Sequence, residues 1–374
     1  MDDEGRGTGG LDPVPRRRRA DGKAHRGRGH HYRLRRPGVG APQRATYAAL
    51  DLGTNNCRLL IARPAGDGFR VIDAFSRIIR LGEGVSATGR LSDAAIERAV
   101  YALAVCRDKM VQRGVTRARL IATEACRAAE NGAEFLDVIR EHVGIELEIV
   151  DRKTEADLAA TGCTPLIDPE ARGALLFDIG GGSSELVSLA QSEPVVRGPP
   201  RPVVRSWVSL PVGVVTLAER HGGVEVDRAL FERMVDEVTN HVAEFTAAHS
   251  AAHGVNLEGV HMLGTSGTVT TIAGIHLRLP RYDRRRVDGC WLADTEITRV
   301  MDELIAMSYE ERVANACIGS ERADLVLAGC AILEAIRRAF PCARLRVADR
   351  GLREGMLVKL MREDGVWSGP PLDC

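Results

Sequence analysis

A cluster of acidic, glycine and hydroxyl residues occupies positions 178–185, where the sequence reads DIGGGSSE. Asp178 ends one apolar run, and Glu185 begins the next. Glycine backbone lets N–H groups approach phosphate oxygens closely, and serine hydroxyls add further donors. Carboxylates repel phosphate unless a divalent cation lies between them, and Mg²⁺ prefers oxygen ligands of this kind. The cluster therefore indicates a phosphate site with Mg²⁺, although a single Gly-rich turn read alone is more often a plain β-hairpin.

The same pattern occurs 127 residues earlier, in DLGTNNCRLLIA from Asp51 onwards. Asp, an aliphatic residue and Gly coincide at the first three positions, and Leu59 coincides with Leu186. A third Gly/Thr loop, LGTSGTVTT at 263–271, precedes a predicted helix whose first N–H groups are free to bind an anion. The repetition predicts a duplicated domain with a cleft between its halves.

Hydrophobic periodicity predicts the elements that position these loops. Buried strands are expected at 46–53, 57–64, 118–123, 145–150, 173–182, 183–190 and 343–349, and helices at 91–114, 131–144, 228–249, 322–340 and 351–361. The stretch 259–275 is expected to run from a strand through the third loop into a helix. Strands that alternate with helices indicate an α/β fold with partly parallel sheets.

Charge is distributed unevenly over the 374 residues. Residues 1–45 carry a net charge of +7 and the remainder −7, so the folded part has no general attraction for nucleic acid. The basic segment is predicted to be a disordered tail whose arginines can bind polyanions. No apolar run is long enough for a membrane span, and the nine cysteines contain no CxxC pair. Reduced thiols in the cytoplasm are therefore expected.

The three loops resemble the phosphate loops of the actin, Hsp70 and sugar-kinase superfamily. The sequences between them narrow the resemblance to the exopolyphosphatase / guanosine-pentaphosphate phosphatase (Ppx/GppA) family, over about residues 46–360. The stretches that carry it are RLGEGVSATGRLSDAAI (80–96), ATEACRAAEN (122–131), KTEADLAATG (153–162), LPVGVVTLAE (210–219), RADLVLAG (322–329) and DRGLREGML (349–357). The chain is similar to the short members, which have no C-terminal HD-type domain.

The resemblance implies two actin-like, ribonuclease H-like domains with the active site in the cleft between them. Domain I is expected at 46–170 and domain II at 171–351, with a final helix at 352–364 that packs back onto domain I. It also implies release of terminal phosphate from inorganic polyphosphate, guanosine pentaphosphate (pppGpp) or both, by attack of water, with Mg²⁺ as cofactor. A homodimer is an open alternative for the assembly.

The resemblance further assigns roles to individual residues. Glu155 matches the general base, and Arg127 an arginine that faces the phosphate chain. Metal association is implied for Asp51, Asp178 and Glu185. Substrate binding is implied for the three loops, with the residues Gly53, Thr54, Asn55, Asn56, Gly180, Gly181, Gly182, Ser183, Ser184, Gly264, Thr265, Ser266, Gly267 and Thr268. The residues themselves place Glu155 in the first turn of a helix, with Thr154 as the expected N-cap.

Three departures from the family pattern bear on the site. Ser184 stands where the family often has Thr, and the hydroxyl is kept. Ser266 stands where a glycine is usual in the third loop, and the sequence before Glu155 is bulkier and more charged than the usual Gly-bearing loop. A non-catalytic sensor of polyphosphate or (p)ppGpp is the main alternative function, and a sugar kinase of the same superfamily is another. The presence of Glu155 and of the two acids in DIGGGSSE disfavours the sensor.

Deletion of residues 1–45 tests the separation of tail and catalytic unit. Because no motif lies there, turnover of short phosphate substrates should be unchanged, while capture of long polyphosphate should become less sensitive to salt. Phosphate release by the truncated and full-length chains at two salt concentrations measures both effects. A tenfold loss of turnover on short substrates would contradict the prediction.

Overall fold

The computed structural model describes residues 45–191, 195, 197–253 and 258–368. Nearly all of the predicted basic tail lies outside the described residues. No helix in the described part of the chain combines the length and the apolar character that crossing a membrane requires.

The first half of the described chain forms a five-stranded mixed sheet in the order β3-β2-β1-β4-β5. β1 pairs antiparallel with β2 and parallel with β4, and β2 pairs antiparallel with β3. The strands are β1 (Tyr47–Leu52), β2 (Asn56–Ala65), β3 (Gly68–Ile78), β4 (Arg117–Ala122) and β5 (Glu148–Ile149).

The second half forms a six-stranded mixed sheet in the order β10-β11-β9-β6-β7-β8. Its strands are β6 (Gly173–Ile179), β7 (Ser184–Ala190), β8 (Val203–Leu210), β9 (Val260–Thr265), β10 (Trp291–Ala293) and β11 (Arg344–Ala348). β6 pairs antiparallel with β7 and parallel with β9, as β1 does with β2 and β4. Five strands of each sheet therefore follow one plan, and the predicted α/β duplication is confirmed.

Helices cover both faces of each sheet. They are α1 (Val85–Thr88), α2 (Asp93–Gln112), α3 (Glu124–Ala128), α4 (Gly132–His142), α5 (Arg152–Cys163), α6 (Val214–His221), α7 (Arg228–His253), α8 (Gly267–His276), α9 (Arg284–Val287), α10 (Asp294–Ala306), α11 (Tyr309–Ala314), α12 (Val326–Ala339) and α13 (Leu352–Glu363). Ser92 caps α2 as predicted, since its side chain accepts a hydrogen bond from the Ala95 amide.

The sequence missed three strands and overestimated one. β10 has only three residues, too few to show a periodic pattern. β3 and β8 were not predicted, because as edge strands they carry mixed polar and apolar residues that lack clean alternation. The strand expected over 145–150 is reduced to β5, which has two residues, since only Ile121 and Ala122 of the neighbouring β4 pair with it.

Apolar side chains form three layers of core. α2 and α4 cover the outer face of the first sheet, and α7, α8, α10 and α12 cover the outer face of the second. The middle layer is shared, because α5 and α13 lie between the two sheets and bury the side chains of both. The domain boundaries themselves stay predictions, but α13 does pack on α5 and on β1 of the first sheet.

Glycines allow α5 and α13 to cross with almost no space between their backbones. A Cβ on Gly355 would lie 1.9 Å from the carbonyl oxygen of Leu158, and one on Gly162 would lie 2.0 Å from that of Gly351. Neither obstacle is a flexible side chain, so any larger residue must push the helices apart. The crossing sets the position of both helix N-termini, since α5 begins just after β5 and α13 begins just after β11.

Gly355→Ala should therefore destabilise the protein strongly. The added methyl overlaps backbone, and overpacking of this kind costs about 1–3 kcal/mol or more. Denaturant unfolding measures the loss, with Gly68→Ala as the control, because a Cβ there meets nothing nearer than 4.0 Å. Equal unfolding free energies for the two variants would show that the crossing is not tightly constrained.

Candidate active site

A cavity of about 140 Å³ lies between the sheets, at the carboxyl ends of β1 and β6. Most of the predicted loop residues line it, together with three of the predicted acids and Glu155. Those that do are Asp51, Gly53, Thr54, Asn55, Asn56, Glu155, Asp178, Gly180, Gly181, Gly182, Ser183, Glu185, Ser266, Gly267 and Thr268. The fold thus brings the three loops and the base candidate to one place.

Two glycines of the second loop are required by contact with the first loop. None of Gly180, Gly181 and Gly182 has a positive φ, and only Gly180 is required by its own turn, where a Cβ would lie 2.7 Å from the Ser183 carbonyl oxygen. A Cβ on Gly181 would lie 2.8 Å from Cβ of Thr54, and one on Gly182 would lie 3.0 Å from Oγ1 of Thr54. The two halves of the duplication therefore meet through bare backbone, which leaves amide groups at the cavity wall.

The two duplicated hairpins place different charges at equivalent positions. Asp51 pairs across the strands with Arg58 in the first hairpin, and Asp178 pairs with Glu185 in the second. Opposite charges at facing positions attract, whereas two facing carboxylates repel. The cavity therefore receives an uncompensated negative charge from the second hairpin.

The acids of the cavity resist ionisation. Burial, opposed by Arg58 and reinforced by Asp51, raises the pKa of Asp178 to about 6. Burial and the Asp178 charge raise the pKa of Glu185 to about 7, although hydroxyls of Ser183 and Ser209 both donate to its Oε1 at 2.8 Å. Burial also raises the pKa of Asp51.

Glu155 extends from the first turn of α5 into the cavity. The predicted cap was wrong: α5 begins at Arg152, and Asp151 is the N-cap, since its carboxylate accepts a hydrogen bond from the Thr154 amide at 2.7 Å. A carboxylate hydrogen-bonds these amides more strongly than a hydroxyl does. Burial, with the charges of Glu185, Asp51 and Asp178, raises the pKa of Glu155 to about 9 against the opposing effect of Arg127.

Arg127, predicted to face the phosphate chain, lies beside Glu155 and is not among the residues that line the cavity. Its guanidinium donates to Oε2 of Glu155 at 3.2 and 3.3 Å, to Glu124, and to the carbonyl of Val150 at 2.6 Å. With these partners it orients the Glu155 carboxylate. Its contact with substrate stays a prediction.

Three other predicted residues do not line this cavity, although Thr265 lines the larger cavity beside it. The Ser184 hydroxyl is fully buried and donates to the Val212 carbonyl at 2.7 Å, and the Thr265 hydroxyl donates to the Arg350 carbonyl at 2.7 Å. Gly264 lies within β9, where a Cβ would lie 2.5 Å from the Phe177 ring. These residues hold the loops in place through packing and hydrogen bonds.

Two arginines at the site were missed by the sequence reasoning. Arg58 and Arg322 line both this cavity and an adjoining one of about 800 Å³. Among the described residues neither guanidinium lies in direct ion-pair contact with a carboxylate, although Arg58 faces Asp51 across the strands. Arg58 had a detectable signal, because it occupies the position of Glu185 in the duplicated pattern. Arg322 had no signal in the sequence beyond its place in the family stretch RADLVLAG (322–329). Unpaired guanidinium groups in a cleft are suited to phosphate.

The donor set fits Mg²⁺ held partly through water better than a closed protein cage. In the described part of the chain, no three His, Cys, Asp or Glu side chains are close enough to hold a metal ion together. Mg²⁺ keeps several waters and commonly takes one or two carboxylates plus substrate oxygens. The buried Oδ1 atoms of Asn55 and Asn56 accept no hydrogen bond from any described residue, so they are acceptors that a bound, hydrated ion would satisfy.

Comparison with known proteins assigns the chain to a family. Residues 60–364 match the Ppx/GppA phosphatase family. The chain belongs to this family. It is 29% identical over 334 residues to exopolyphosphatase 2 of Mycobacterium tuberculosis, covering 84% of this chain and 98% of that one. It is also 28% identical over 316 residues to a guanosine-5'-triphosphate,3'-diphosphate pyrophosphatase of Aeromonas hydrophila, covering 84% of this chain and 59% of that one.

A solved Ppx/GppA structure has the same fold. The Aquifex aeolicus family member superposes with a TM-score of 0.69 at 28% identity, over 86% of this chain and 98% of that one. The fold class expected from the sequence, two actin-like α/β domains around a cleft, is therefore confirmed.

Asp178→Asn should stabilise the metal-free protein in a pH-dependent way. A carboxyl whose pKa is about 6 when folded and 3.8 ordinarily contributes stability below pH 4 that is lost as pH rises through 6. The difference between the two pKa values corresponds to a destabilisation of about 3 kcal/mol at most above pH 6, and Asn, which has no charge, removes this destabilisation. The variant should melt like the wild type at pH 4 and several degrees higher at pH 8, in chelator.

Asp168→Asn is the matched control. Its carboxyl is partly buried, forms an ion pair with Arg344 and has a lowered pKa, with the backbone hydrogen bond from Glu170 as the first cause, so Asn should give no gain at pH 8. A melting temperature of Asp178→Asn below wild type at pH 8 would show that the carboxylate is structural.

Proposed function

We propose that this chain hydrolyses terminal phosphate from inorganic polyphosphate, guanosine pentaphosphate or both. The observation that carries the proposal is the position of Glu155, a buried carboxyl held by Arg127 at the wall of a cavity built from three phosphate-type loops. The names of two relatives, an exopolyphosphatase and a guanosine-5'-triphosphate,3'-diphosphate pyrophosphatase, support this substrate class.

The proposed reaction needs a base, donors for the phosphate oxygens and a path for the rest of the substrate. Glu155 orients a water molecule and takes its proton as the water oxygen bonds to the terminal phosphorus. The bridging P–O bond breaks, and the shortened chain leaves with the electron pair. Loop amides around Gly181 and Gly267 and the Arg58 guanidinium stabilise the oxygens, and positioning of this kind supplies most of the catalysis in phosphoryl transfer.

We propose Mg²⁺ as the cofactor, with Asp51, Asp178 and Glu185 as the carboxylates that hold it directly or through water. When bound, it supplies positive charge between these carboxylates and the substrate oxygens. The raised pKa of Glu155, about 9, supports a requirement for such charge, because a protonated carboxyl cannot act as a base at neutral pH. Arg127 alone does not lower the pKa of Glu155 enough for its carboxyl to be ionised at neutral pH.

The adjoining cavity is the proposed place for the remainder of the substrate. Its volume of about 800 Å³ exceeds that of the inner cavity and lies within the range of small-molecule sites. Arg58 and Arg322 lie where the two cavities meet.

The free thiols of the eight described cysteines support the cytoplasm as the compartment. A homodimer remains a prediction.

Glu155→Gln tests the proposal directly. Gln keeps the size of the side chain but cannot accept a proton, so turnover should fall by about 10²–10⁴-fold. Removal of a negative charge near a polyanion should leave KM equal or lower, and loss of a buried carboxyl with a raised pKa should leave the melting temperature equal or higher. Phosphate release from tripolyphosphate, long polyphosphate and pppGpp, with and without Mg²⁺, measures these effects.

Asp157→Asn is the control, because this acid lies on the same helix and does not line the cavity. Its turnover should match the wild type. Normal turnover of Glu155→Gln would remove the catalytic assignment. A wild-type chain that binds these phosphates without releasing phosphate would be a sensor instead.

A further inference from the structure

Ser266 has a backbone conformation that serine rarely adopts. Its φ is +131° and its ψ is 173°, in a region populated almost only by glycine. The residue is the N-cap of α8, and its carbonyl is held by the hydroxyl of Thr270 at 2.9 Å. The third loop therefore holds Ser266 in a backbone conformation that is unfavourable for any residue with a Cβ atom.

The Ser266 hydroxyl gains no hydrogen bond from this conformation. A serine at an N-cap normally accepts a bond from an amide of the first turn, but no such bond forms here. Its Oγ atom is buried and has no hydrogen-bond partner among the described residues. Burial of an unpaired hydroxyl is unfavourable. Ser266 therefore destabilises the ligand-free protein in two ways, through its backbone conformation and through its unsatisfied hydroxyl.

The surroundings indicate what the hydroxyl meets. Ser266 belongs to the wall that the inner cavity shares with the larger one. Asn55, which is 7% exposed and has an unpartnered Oδ1, lines the same inner cavity. The free amides at the start of α8 lie next to Ser266 and favour an anion. A hydroxyl is a donor that an anionic oxygen accepts strongly.

We infer that Ser266 is a specificity-determining residue whose hydroxyl donates to an oxygen of the phosphate chain where the two cavities join. The inference rests on the proposed function and adds that this bond offsets the conformational cost of Ser266. A phosphate chain that extends into the larger cavity has a phosphate beyond the terminal one to accept this bond, whereas orthophosphate has none. Ser266 thereby favours substrate over the released product.

Two substitutions separate the hydroxyl from the backbone. Ser266→Ala keeps the Cβ and the unusual φ but removes the donor. Ser266→Gly removes the donor and relieves the backbone. Arg278→Gly is the matched control: Arg278 follows the other end of α8, has a φ of +49° and lines neither cavity.

The readouts are the melting temperature of the ligand-free chains, KM for phosphate release from tripolyphosphate, and inhibition by orthophosphate. Both Ser266 variants should raise KM for tripolyphosphate by about 10-fold or more, the loss expected for a hydrogen bond to a charged group. Inhibition by orthophosphate should change by less than twofold. Ser266→Gly and Arg278→Gly should both melt a few degrees higher than wild type, but Arg278→Gly should keep the wild-type KM.

A tripolyphosphate KM within twofold of wild type for Ser266→Ala would overturn the inference while leaving the proposed function intact. Equal weakening of tripolyphosphate and orthophosphate would also overturn it, since the hydroxyl would then not discriminate between them. Failure of the wild-type chain to release phosphate from tripolyphosphate would instead reject the proposed function.

Discussion

Four carboxyl groups buried around one small cavity are the constraint on which the rest of the site depends. Burial raises the pKa of Asp51, Asp178, Glu185 and Glu155, and for the last three the charge of neighbouring carboxylates adds to the effect. Arg127 and Arg58 oppose it without cancelling it. A folded chain retains such a cluster only if protons, a cation or both occupy it, which couples the charge of the site to what it binds.

The fold holds these acids together by bringing two backbones into contact twice. α5 and α13 cross through Gly162 and Gly355, and the first two loops meet where Thr54 packs on Gly181. The first contact lies in the core layer shared by the sheets, and the second lies at the cavity itself. Because each contact excludes even a methyl group, backbone packing holds the acids of the two halves close together.

Periodicity and motif spacing predicted the α/β class, the duplication and the convergence of three loops on a cleft. They did so because buried strands and amphipathic helices have local patterns. The edge strands β3 and β8 were missed because their residues face both solvent and protein. The cap of α5 was assigned to Thr154 and not Asp151, since both residue types cap helices and only the backbone geometry selects one.

The sequence by itself determined which residues are available for chemistry: the acids, the bare loops and the base candidate in the first turn of a helix. Tertiary structure decided what each does. It turned Ser184 and Thr265 away from the cavity, placed Arg127 behind Glu155, and brought Arg58 and Arg322 to the junction of two cavities. The physical reason is that side-chain direction, burial and mutual charge depend on contacts between residues far apart in the chain, such as Asp51 and Asp178, which no local pattern encodes.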